Sequence, residues 1–283
     1  MIRPHTQALR LDERLVRDGL AETRARAQAA ILAGRVSVDG QVADKPGRRV
    51  GPDTRVDVAG PAHPYVGRGG LKLAHALAAF AVNVRGAVAA DLGASTGGFT
   101  DALLQAGAAR VYAVDVGHGQ LDWRLRHDPR VVVMEGTNAR HLTPERFRGC
   151  CDLVTADLSF IGLRVLWGVI ARLVRPGGDV IALVKPQFEA GRAQVGRGGV
   201  VRDPAVHASV LEATLEAAAR EQLIPAGVSA SPVTGPAGNI EYFVHLRRAP
   251  LGTREARPAD VDIPRVVAAA HGALRPPAGA GGP

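Results

Sequence analysis

The chain has 283 residues, 46% of them hydrophobic and 22% charged, which is enough to bury the core of one domain of about 200 residues and of a smaller one. Its formal net charge is +8 and its pI is about 10.4, which favours a polyanionic partner such as RNA or DNA. No segment approaches the roughly 18 consecutive apolar residues of a membrane span, and the amino terminus lacks the apolar core of a signal peptide. We therefore predict a cytoplasmic protein without a membrane partner.

The first sixty residues are predicted to form a separate module. A short helix is expected from Leu11 to Gly19, and a second helix is expected to begin after Thr23 as its N-cap and to stop at Gly34. The stretch Arg35–Val42 is typical of a β-hairpin that turns on Asp39-Gly40. The module is thus expected to be a small α+β domain.

Arginines of this module are candidates for contacts with RNA phosphates, although the module is only mildly basic, with eleven basic and eight acidic residues. Arg24 and Arg26 lie off the apolar face of the second helix. The residues predicted to bind RNA are Arg14, Arg24, Arg26, Arg35 and Arg68. An ordinary solvated face is the alternative interpretation.

A glycine-rich loop follows the first strand of the larger domain. The apolar strand Val88–Leu92 runs into the loop Gly93-Ala-Ser-Thr-Gly-Gly98, and a helix is expected from Phe99 to Ala106. The glycine spacing differs from G-x-G-x-x-G, so a compact ligand such as S-adenosylmethionine is favoured over a dinucleotide. A tight turn without a ligand is the alternative.

An acid and an amide follow the next two strands. Arg110–Asp115 is predicted to be a strand that ends in an acid 24 residues after Asp91, where a carboxylate can accept hydrogen bonds from ribose hydroxyls. Asn138 follows the strand that begins at Val131 and could border an adenine ring. An asparagine that only serves the turn is equally consistent with the sequence.

Lysine is rare in this chain, with three residues, Lys45, Lys72 and Lys185, against thirty-two arginines. Lys72 closes a glycine-rich turn that begins at Arg68, and Lys185 ends the apolar run Val180–Val184. A desolvated lysine can lose its proton, whereas arginine stays charged, so both lysines are candidates for a catalytic base. Surface lysines retained by chance are the alternative.

Four further features carry weaker predictions. The basic loop Gly191–Gly199 could clamp RNA or act as a lid. Cys150 and Cys151 are adjacent and are expected to be small apolar residues entering a buried strand. Trp167 has helical spacing with its apolar neighbours and is expected in the core. The Pro/Gly/Ala-rich tail, residues 249–283, is expected to be disordered.

Several long segments carry a family resemblance. The stretches Arg10–Val16 and Thr23–Gly40 resemble the small RNA-binding module first seen in a ribosomal protein, the αL motif. Four others are similar to the TlyA family, which is described both as hemolysin-like and as ribosomal RNA 2′-O-methyltransferases with an FtsJ-like catalytic domain. They are Tyr65–Leu73, Asp91–Asp101, Ala113–Leu121 and Val184–Glu189. The resemblance spans residues 9 to about 248, with Gly67 and Thr23 where serine is usual.

The resemblance implies a Rossmann-like α/β methyltransferase domain preceded by the small α+β RNA-binding domain. Its sheet is expected to be mostly parallel, with helices on both faces and an antiparallel last strand. The expected boundaries are an RNA-binding domain at 1–60, a linker at 61–70 and a methyltransferase domain at 71–248. The implied cofactor is S-adenosyl-L-methionine, and the implied partner is ribosomal RNA or a ribosomal subunit, with cytidine ribose as the acceptor. The oligomeric state stays open.

The resemblance also implies a Lys-Asp-Lys-Glu tetrad, for which the sequence offers Lys72, Asp157, Lys185 and Glu241. The carboxyl ends of parallel strands converge on one cleft, and Glu241 is expected at the start of an antiparallel strand on the same side. Lys185 is assigned as the base for a ribose 2′-hydroxyl that attacks the methyl carbon of the donor, and Asp157 orients it. Lys72 and Glu241 would position the hydroxyl, no metal is required, and which lysine is neutral stays open.

With this resemblance, ten residues are predicted to bind the cofactor. They are Asp91, Gly93, Ala94, Ser95, Gly97, Gly98, Phe99, Asp115, Asn138 and Asp157. Three other functions remain as alternatives. A dehydrogenase could use Asp115 but would leave the tetrad idle, and a pore-forming hemolysin would need a membrane-insertion pattern that the sequence does not show. A non-catalytic RNA-binding protein would be expected to have lost part of the tetrad.

Overall fold

The computed structural model describes residues 8–21, 23–32, 35–59, 63–159, 161–235, 237–250 and 261–274. The chain divides into two compact units, residues 1–64 and 65–283. The division falls between Pro64 and Tyr65, inside the predicted linker of residues 61–70. Tyr65 packs against Gly70, and the backbone N–H of Val66 donates to Asp101 at 2.8 Å, so residues 65–70 belong to the larger unit.

The N-terminal unit is a small α+β fold. Its elements are β1 (Leu9–Arg10), α1 (Leu11–Arg17), α2 (Arg24–Leu32), β2 (Val36–Val38), β3 (Gln41–Val42), β4 (Arg49–Val50) and β5 (Val56–Val58). Thr23 caps α2 as predicted, since its hydroxyl accepts from the backbone N–H of Arg26 at 3.2 Å. The predicted hairpin is confirmed, because Asp39 and Gly40 both have positive φ between paired β2 and β3. The predicted helix stop at Gly34 lies outside the described residues.

The larger unit is built around a seven-stranded sheet of order β11-β12-β10-β9-β6-β7-β8. Its strands are β6 (Val88–Leu92), β7 (Arg110–Val114), β8 (Val131–Met134), β9 (Cys151–Ala156), β10 (Val174–Val184), β11 (Leu223–Ala230) and β12 (Tyr242–Arg248). The five strands from β10 to β8 are parallel, and β12 is antiparallel to both of its neighbours. The predicted fold class, including the antiparallel last strand, is confirmed.

Helices cover both faces of this sheet. They are α3 (Gly69–Ala79), α4 (Gly98–Gln105), α5 (Trp123–Arg126), α6 (Trp167–Leu173), α7 (Pro186–Glu189), α8 (Pro204–Arg220) and α9 (Ile263–Leu274). Because successive side chains of a strand point to opposite faces, Ala89 belongs to the core cluster that includes residues of α3, α4 and α5, whereas Ala90 belongs to the cluster that includes residues of α6, α8 and α9. The continuous apolar runs of the sequence therefore reflect burial on two faces.

The carboxyl-terminal segment differs from its predicted disorder, because α9 lies within it. Ile263, Val267 and Ala270 form a buried stripe on this helix, which contacts α8 and β11. The Pro/Gly/Ala-rich composition of residues 249–283 indicates only that this segment cannot fold by itself. The helix instead gains its stability from packing on the rest of the unit. Residues 251–260 and 275–283 lie outside the described residues.

Three weaker predictions have mixed outcomes. The two cysteines were expected to enter a buried strand, and Cys151 does begin β9 and is buried, whereas Cys150 directly precedes the strand and is exposed. Trp167 is fully buried in the core, as expected. The loop Gly191–Gly199 forms two short 3₁₀ turns, and its end is held by Asn239, whose side-chain N–H donates to the Gly199 carbonyl at 2.9 Å.

None of the helices in the described ranges is long and apolar enough to cross a membrane.

Candidate active site

Three of the four predicted tetrad residues stand at the edge of the sheet where the parallel strands end. Asp157 follows β9, Lys185 follows β10, and Glu241 directly precedes β12. Val184 pairs with Tyr242 in the β10–β12 ladder, so the next residues outward, Lys185 and Glu241, face each other across neighbouring strands. Neighbouring strands lie about 4.8 Å apart. The sheet therefore gathers one cation and two acids at one place.

Lys185 forms an ion pair with Asp157. Its Nζ lies 2.7 Å from Asp157 Oδ1 and donates a hydrogen bond to Ser159 Oγ at 2.9 Å. The contact of Lys185 Nζ with Ser159 has hydrogen-bond geometry, whereas its contact with Asp157 Oδ1 is an ion pair without that geometry. Lys185 is only 9% exposed, and the Phe188 ring centroid lies 5.9 Å from Nζ. The charged form of this side chain therefore depends on two protein oxygens rather than on bulk water.

Lys72 forms the second ion pair, with Glu241. Lys72 Nζ donates to Glu241 Oε2 at 2.5 Å, and the two residues are 8% and 1% exposed. Lys72 lies in the first turn of α3, whose start packs closely on the start of α4. A Cβ at Gly98 would lie 2.9 Å from the backbone nitrogen of Gly70, so the small residues let the helix that carries Lys72 approach this closely. Glu241 thus connects the two pairs, since it binds Lys72 and stands opposite Lys185.

A cavity of about 310 Å³ opens at the same edge of the sheet. Asp157 and Ser159 form its wall on the side of Lys185, Gly93 and Ser95 come from the loop after β6, and Asp115 follows β7. The remaining lining residues are Val114, Val116, Gln120, Thr137, Ala139 and Leu158. A cavity of this size, with apolar walls and a few fixed polar groups, suits a nucleoside-sized ligand.

Gly93 and Asp115 give the cavity its specific features. Gly93 has a φ of +86°, and a Cβ there would lie 2.4 Å from the carbonyl oxygen of Asp157, so a larger residue would block the turn. The Asp115 carboxylate accepts from the backbone N–H groups of Ser95 at 2.8 Å and Gly117 at 2.7 Å. Each oxygen keeps further capacity to accept hydrogen bonds. The Asp115 carboxylate is therefore held in a fixed orientation at the cavity wall, with capacity to accept further hydrogen bonds.

Asp91, which the sequence predicts to contact the cofactor, does not line the cavity. It is fully buried, and its carboxyl accepts from the Thr100 hydroxyl at 2.7 Å and from the Thr155 hydroxyl at 3.1 Å. Burial raises the pKa of Asp91 to about 7, with the two hydroxyl hydrogen bonds acting in the opposite direction. Asp91 therefore ties β6 to α4 and β9 beneath the loop.

Five other predicted cofactor residues are also absent from the cavity wall. Ala94, Gly98 and Phe99 are buried, and Gly97 faces Leu125, whose Cδ1 would lie 2.2 Å from a Cβ at that position. The Asn138 side chain accepts from the backbone N–H of Arg140 at 3.0 Å and so caps the turn, which was the alternative interpretation of this residue. These residues shape the loop and its supports rather than the lining.

Some lining residues were not identified from the sequence. Ser159, the acceptor for Lys185, lies only two residues after Asp157, and Thr137 directly precedes Asn138. Gln120 accepts from the Ser95 hydroxyl at 3.4 Å. Their positions beside predicted residues were the available signal, but a side chain two residues after a strand end can point in several directions.

In the N-terminal unit, two of the predicted RNA-binding arginines are held by acids of the same unit. Arg14 forms an ion pair with Asp18 and donates to the carbonyl of Gly51 at 2.7 Å. Arg24 lies 3.1 Å from the fully buried Asp12, although its side chain is 52% exposed. These contacts orient the guanidinium groups and use part of their hydrogen-bonding capacity.

The other three predicted RNA-binding arginines differ in exposure and in the unit to which they belong. Arg26 and Arg35 are half-buried in the N-terminal unit. Arg68 belongs to the larger unit, where it is exposed and donates to the carbonyl of Thr234 at 3.2 Å. Their contacts with RNA remain a prediction.

Two family descriptions match the chain and together cover both units. Residues 65–248 match the family described as FtsJ-like methyltransferase, and residues 9–56 match the S4 domain. The first match includes all four tetrad residues and the whole lining of the cavity.

Relatives with similar sequences extend over nearly the whole chain. A provisionally named rRNA methyltransferase of Bacillus subtilis, YqxC, is 50% identical over 267 residues, which are 94% of this chain and 95% of that protein. The 16S/23S rRNA (cytidine-2′-O)-methyltransferase TlyA of Mycobacterium tuberculosis is 50% identical over 84% of this chain and 89% of its own. A provisionally named hemolysin of Streptococcus thermophilus, a solved structure, is 41% identical with a TM-score of 0.75, covering 95% of this chain and 98% of that one. The resemblance to the TlyA family is confirmed.

Proposed function

The chain belongs to the FtsJ-like methyltransferase family and carries an S4 domain, and on that premise we propose that it methylates a ribose 2′-hydroxyl of ribosomal RNA with S-adenosylmethionine as the donor. The observation that carries the proposal is the Lys185–Asp157 pair on the wall of a nucleoside-sized cavity. Transfer to a weakly acidic hydroxyl needs a base at that position.

The cavity residues suit S-adenosylmethionine by their chemistry. Asp115 would accept hydrogen bonds from its ribose hydroxyls, Gly93 leaves room along the backbone, and the apolar lining suits its adenine. When bound, S-adenosylmethionine supplies a methyl group that is attached to a sulfonium sulfur. The sulfur leaves as a neutral thioether and needs no proton. The chemical task left to the protein is therefore at the acceptor hydroxyl.

Lys185 takes the role of base in this proposal. In its neutral form, Nζ accepts the proton of the 2′-hydroxyl, and the resulting ammonium is stabilised by Asp157 Oδ1 and Ser159 Oγ, which both lie within 3 Å. A positioned base contributes roughly 10² to 10⁴ in rate. Arginine could not replace it, because a guanidinium stays protonated.

Lys72 and Glu241 position the acceptor ribose. An ammonium has three donors, and Glu241 takes one of those of Lys72, so the others are available to the hydroxyl oxygen of the substrate. Glu241 neutralises the charge of Lys72 in a place where neither side chain reaches much water. The pair therefore acts as a fixed donor rather than as a second base.

RNA binding is assigned to the N-terminal unit, with Arg24, Arg26 and Arg35 toward phosphates, and to Arg68 near the catalytic edge. The formal net charge of +8 supports a polyanionic substrate. The M. tuberculosis relative is named for cytidine in 16S and 23S rRNA. We extend that substrate to this chain as cytidine ribose in ribosomal RNA or a ribosomal subunit, acting in the cytoplasm.

Product analysis tests this function. The full-length protein is incubated with methyl-labelled S-adenosylmethionine and with 16S and 23S rRNA transcribed without modification, free or assembled into subunits. The proposal expects label in 2′-O-methylcytidine after digestion to nucleosides. Label on a base atom would assign a different methyltransferase reaction, and absence of label on both free and assembled RNA would contradict the function.

A further inference from the structure

Trp123 lies on the surface of a chain that is poor in aromatic residues. The sequence has six Phe, three Tyr and two Trp, and Trp167 is fully buried. Trp123 is 62% exposed and is the aromatic member of the exposed large hydrophobic residues in the described ranges. An indole ring contributes much apolar area when it is buried, so leaving it in water gives up stabilisation. The proposed function does not use this side chain.

The Trp123 ring is held in a defined arrangement. Its centroid lies 4.7 Å from that of His127, with an interplanar angle of 39°, and His127 Nδ1 lies 2.8 Å from the backbone carbonyl oxygen of Trp123. The inner face of α5 is anchored, since Leu125 is buried against the loop at Gly97. A preorganised pair of rings loses little conformational entropy when a third ring stacks on it.

The helix that carries Trp123 adjoins the catalytic cavity. The backbone N–H of Asp122 donates to the Thr96 carbonyl at 3.1 Å, and Gln120, three residues before Trp123, lines the cavity. Thr96 also approaches Gly67, where a Cβ would lie 3.0 Å from its hydroxyl oxygen, in the segment that leads to Lys72. Thr96 of the cavity loop therefore lies between the segment before α3 and the start of the helix that carries Trp123.

Arg124 and Arg126 lie on the same short helix as Trp123, and acids beside this helix are engaged by them. Arg124 has a side chain that is 65% exposed, and the carboxylate of Asp122 is used by the backbone N–H of Arg124 at 2.9 Å and by its guanidinium at 3.2 Å. Glu135 accepts from Arg126 at 2.6 Å. An exposed aromatic ring beside guanidinium groups is typical of single-stranded RNA binding, where bases stack on rings and cations meet phosphates.

We propose that Trp123 and His127 form a stacking platform for an unpaired base of the RNA that enters the catalytic cavity, with Arg124 toward a phosphate. The proposal rests on the proposed function for the identity of the RNA, but its chemistry requires only a single-stranded ribonucleotide. The platform would hold a base near the acceptor nucleotide and so add to the binding of the RNA strand rather than to the chemical step.

Tryptophan emission tests the platform directly, because Trp167 is buried and Trp123 is accessible. The full-length protein is titrated with a short single-stranded oligocytidylate, and binding is followed in parallel by the anisotropy of a labelled copy. The platform predicts a change in emission that saturates with binding and disappears in Trp123→Phe. Saturated binding without any change in emission would overturn it.

Affinities of matched variants separate stacking from charge. Trp123→Ala should weaken oligocytidylate binding roughly 5- to 150-fold, the cost of one lost stacked base, while Trp123→Phe keeps most of the affinity. Val165→Ala, at an equally exposed residue of 61%, should have no effect. Trp123→Ala should leave the slope of log affinity against log salt unchanged, whereas Arg124→Ala should reduce it by about 0.7. Equal affinity of Trp123→Ala and the unaltered protein would overturn the platform.

Methyl-transfer kinetics separate this proposal from the proposed function. If methyl transfer occurs, Trp123→Ala should raise KM for RNA with kcat and S-adenosylmethionine affinity retained, and an unchanged KM would reject the platform alone. If the protein transfers no methyl group but Trp123 emission still responds to the oligonucleotide, the proposed function fails and the platform stands. A response only to ribosomal proteins would assign the surface to a protein partner and overturn the proposal.

Discussion

The larger unit contains two lysine–carboxylate pairs of the same chemistry in different surroundings. In the Lys72–Glu241 pair, both residues are buried, with exposures of 8% and 1%. In the Lys185–Asp157 pair, the lysine is similarly buried, but the carboxylate side chain is 22% exposed on the cavity wall. The second pair also includes Ser159, whose hydroxyl accepts from Lys185.

The comparison shows that the environment of the carboxylate, more than that of the lysine, separates the two pairs. We call the Lys72–Glu241 pair, in which both residues are buried, the closed pair, and the Lys185–Asp157 pair the open pair. The closed pair suits a fixed donor, because loss of one charge would leave the other charge buried without a partner. A pair that opens on a ligand cavity leaves its carboxylate within reach of water and of a bound ligand. The proposed roles of positioning pair and base, which come from the family resemblance, are compatible with this difference.

The largest expected effect is on stability, when the closed pair is broken. Lys72→Met leaves the Glu241 carboxylate buried without a cation, and we expect a loss of about 3 to 5 kcal/mol in the free energy of unfolding. Lys185→Met should cost less, because Asp157 can be reached by water. Urea unfolding at neutral pH measures both variants.

The double variant Lys72→Met with Glu241→Leu provides the control for this prediction. Replacing both partners by apolar groups removes the stranded charge, so most of the lost stability should return. Equal losses for Lys72→Met and Lys185→Met would show that the two pairs do not differ in the way their burial indicates.

The next effect is on chemistry and belongs to the open pair. Lys185→Arg keeps the positive charge but removes the base, so single-turnover methyl transfer should fall by at least about 10². Lys45→Arg, at an exposed lysine of the N-terminal unit, is the matched control and should transfer at the normal rate. A Lys185→Arg variant with near-normal transfer would refute the assignment of the base.

A smaller effect concerns the cofactor and again distinguishes the pairs. Asp115→Ala removes the oriented acceptor of the cavity shared by Asp157, and should weaken S-adenosylmethionine binding by about 1 to 3 kcal/mol. Lys72 does not line that cavity, so folded Lys72→Met should bind the cofactor normally. Calorimetry measures both affinities, and unchanged binding by Asp115→Ala would place the cofactor elsewhere.

The smallest effect tests the additional oxygen of the open pair. Ser159→Ala removes one hydrogen bond to Lys185, worth about 0.5 to 1.5 kcal/mol, so the transfer rate should fall roughly 2- to 13-fold with little change in cofactor affinity. Ser159→Thr keeps the hydroxyl and should retain most of the rate. If Ser159→Ala and Ser159→Thr behave alike, the hydroxyl does not hold the base.

The sequence by itself indicated much of the sheet edge that carries the lysine–carboxylate pairs, because local patterns specify strand ends. Apolar runs that end in Asp157 and Lys185 mark strand ends, and strand ends of a parallel sheet meet at one edge whatever the rest of the fold does. The loop at Gly93 and the acid Asp115 were found for the same reason, since a strand, a glycine turn and a helix are adjacent in the chain. The roles within the tetrad came from the family resemblance and remain proposals.

Only the tertiary structure decided which of these side chains face the ligand and which hold the fold. Asp91 lies within β6, one residue before its end, where it is fully buried and bonded to hydroxyls from α4 and β9, whereas Asp157 follows β9 and lines the cavity. Lys72 meets Glu241 across 169 residues, and Ile263–Leu274 becomes an ordered helix because distant elements offer it an apolar surface. Contacts between residues far apart in the chain depend on how distant elements pack together, and the spacing of neighbouring residues does not specify that packing.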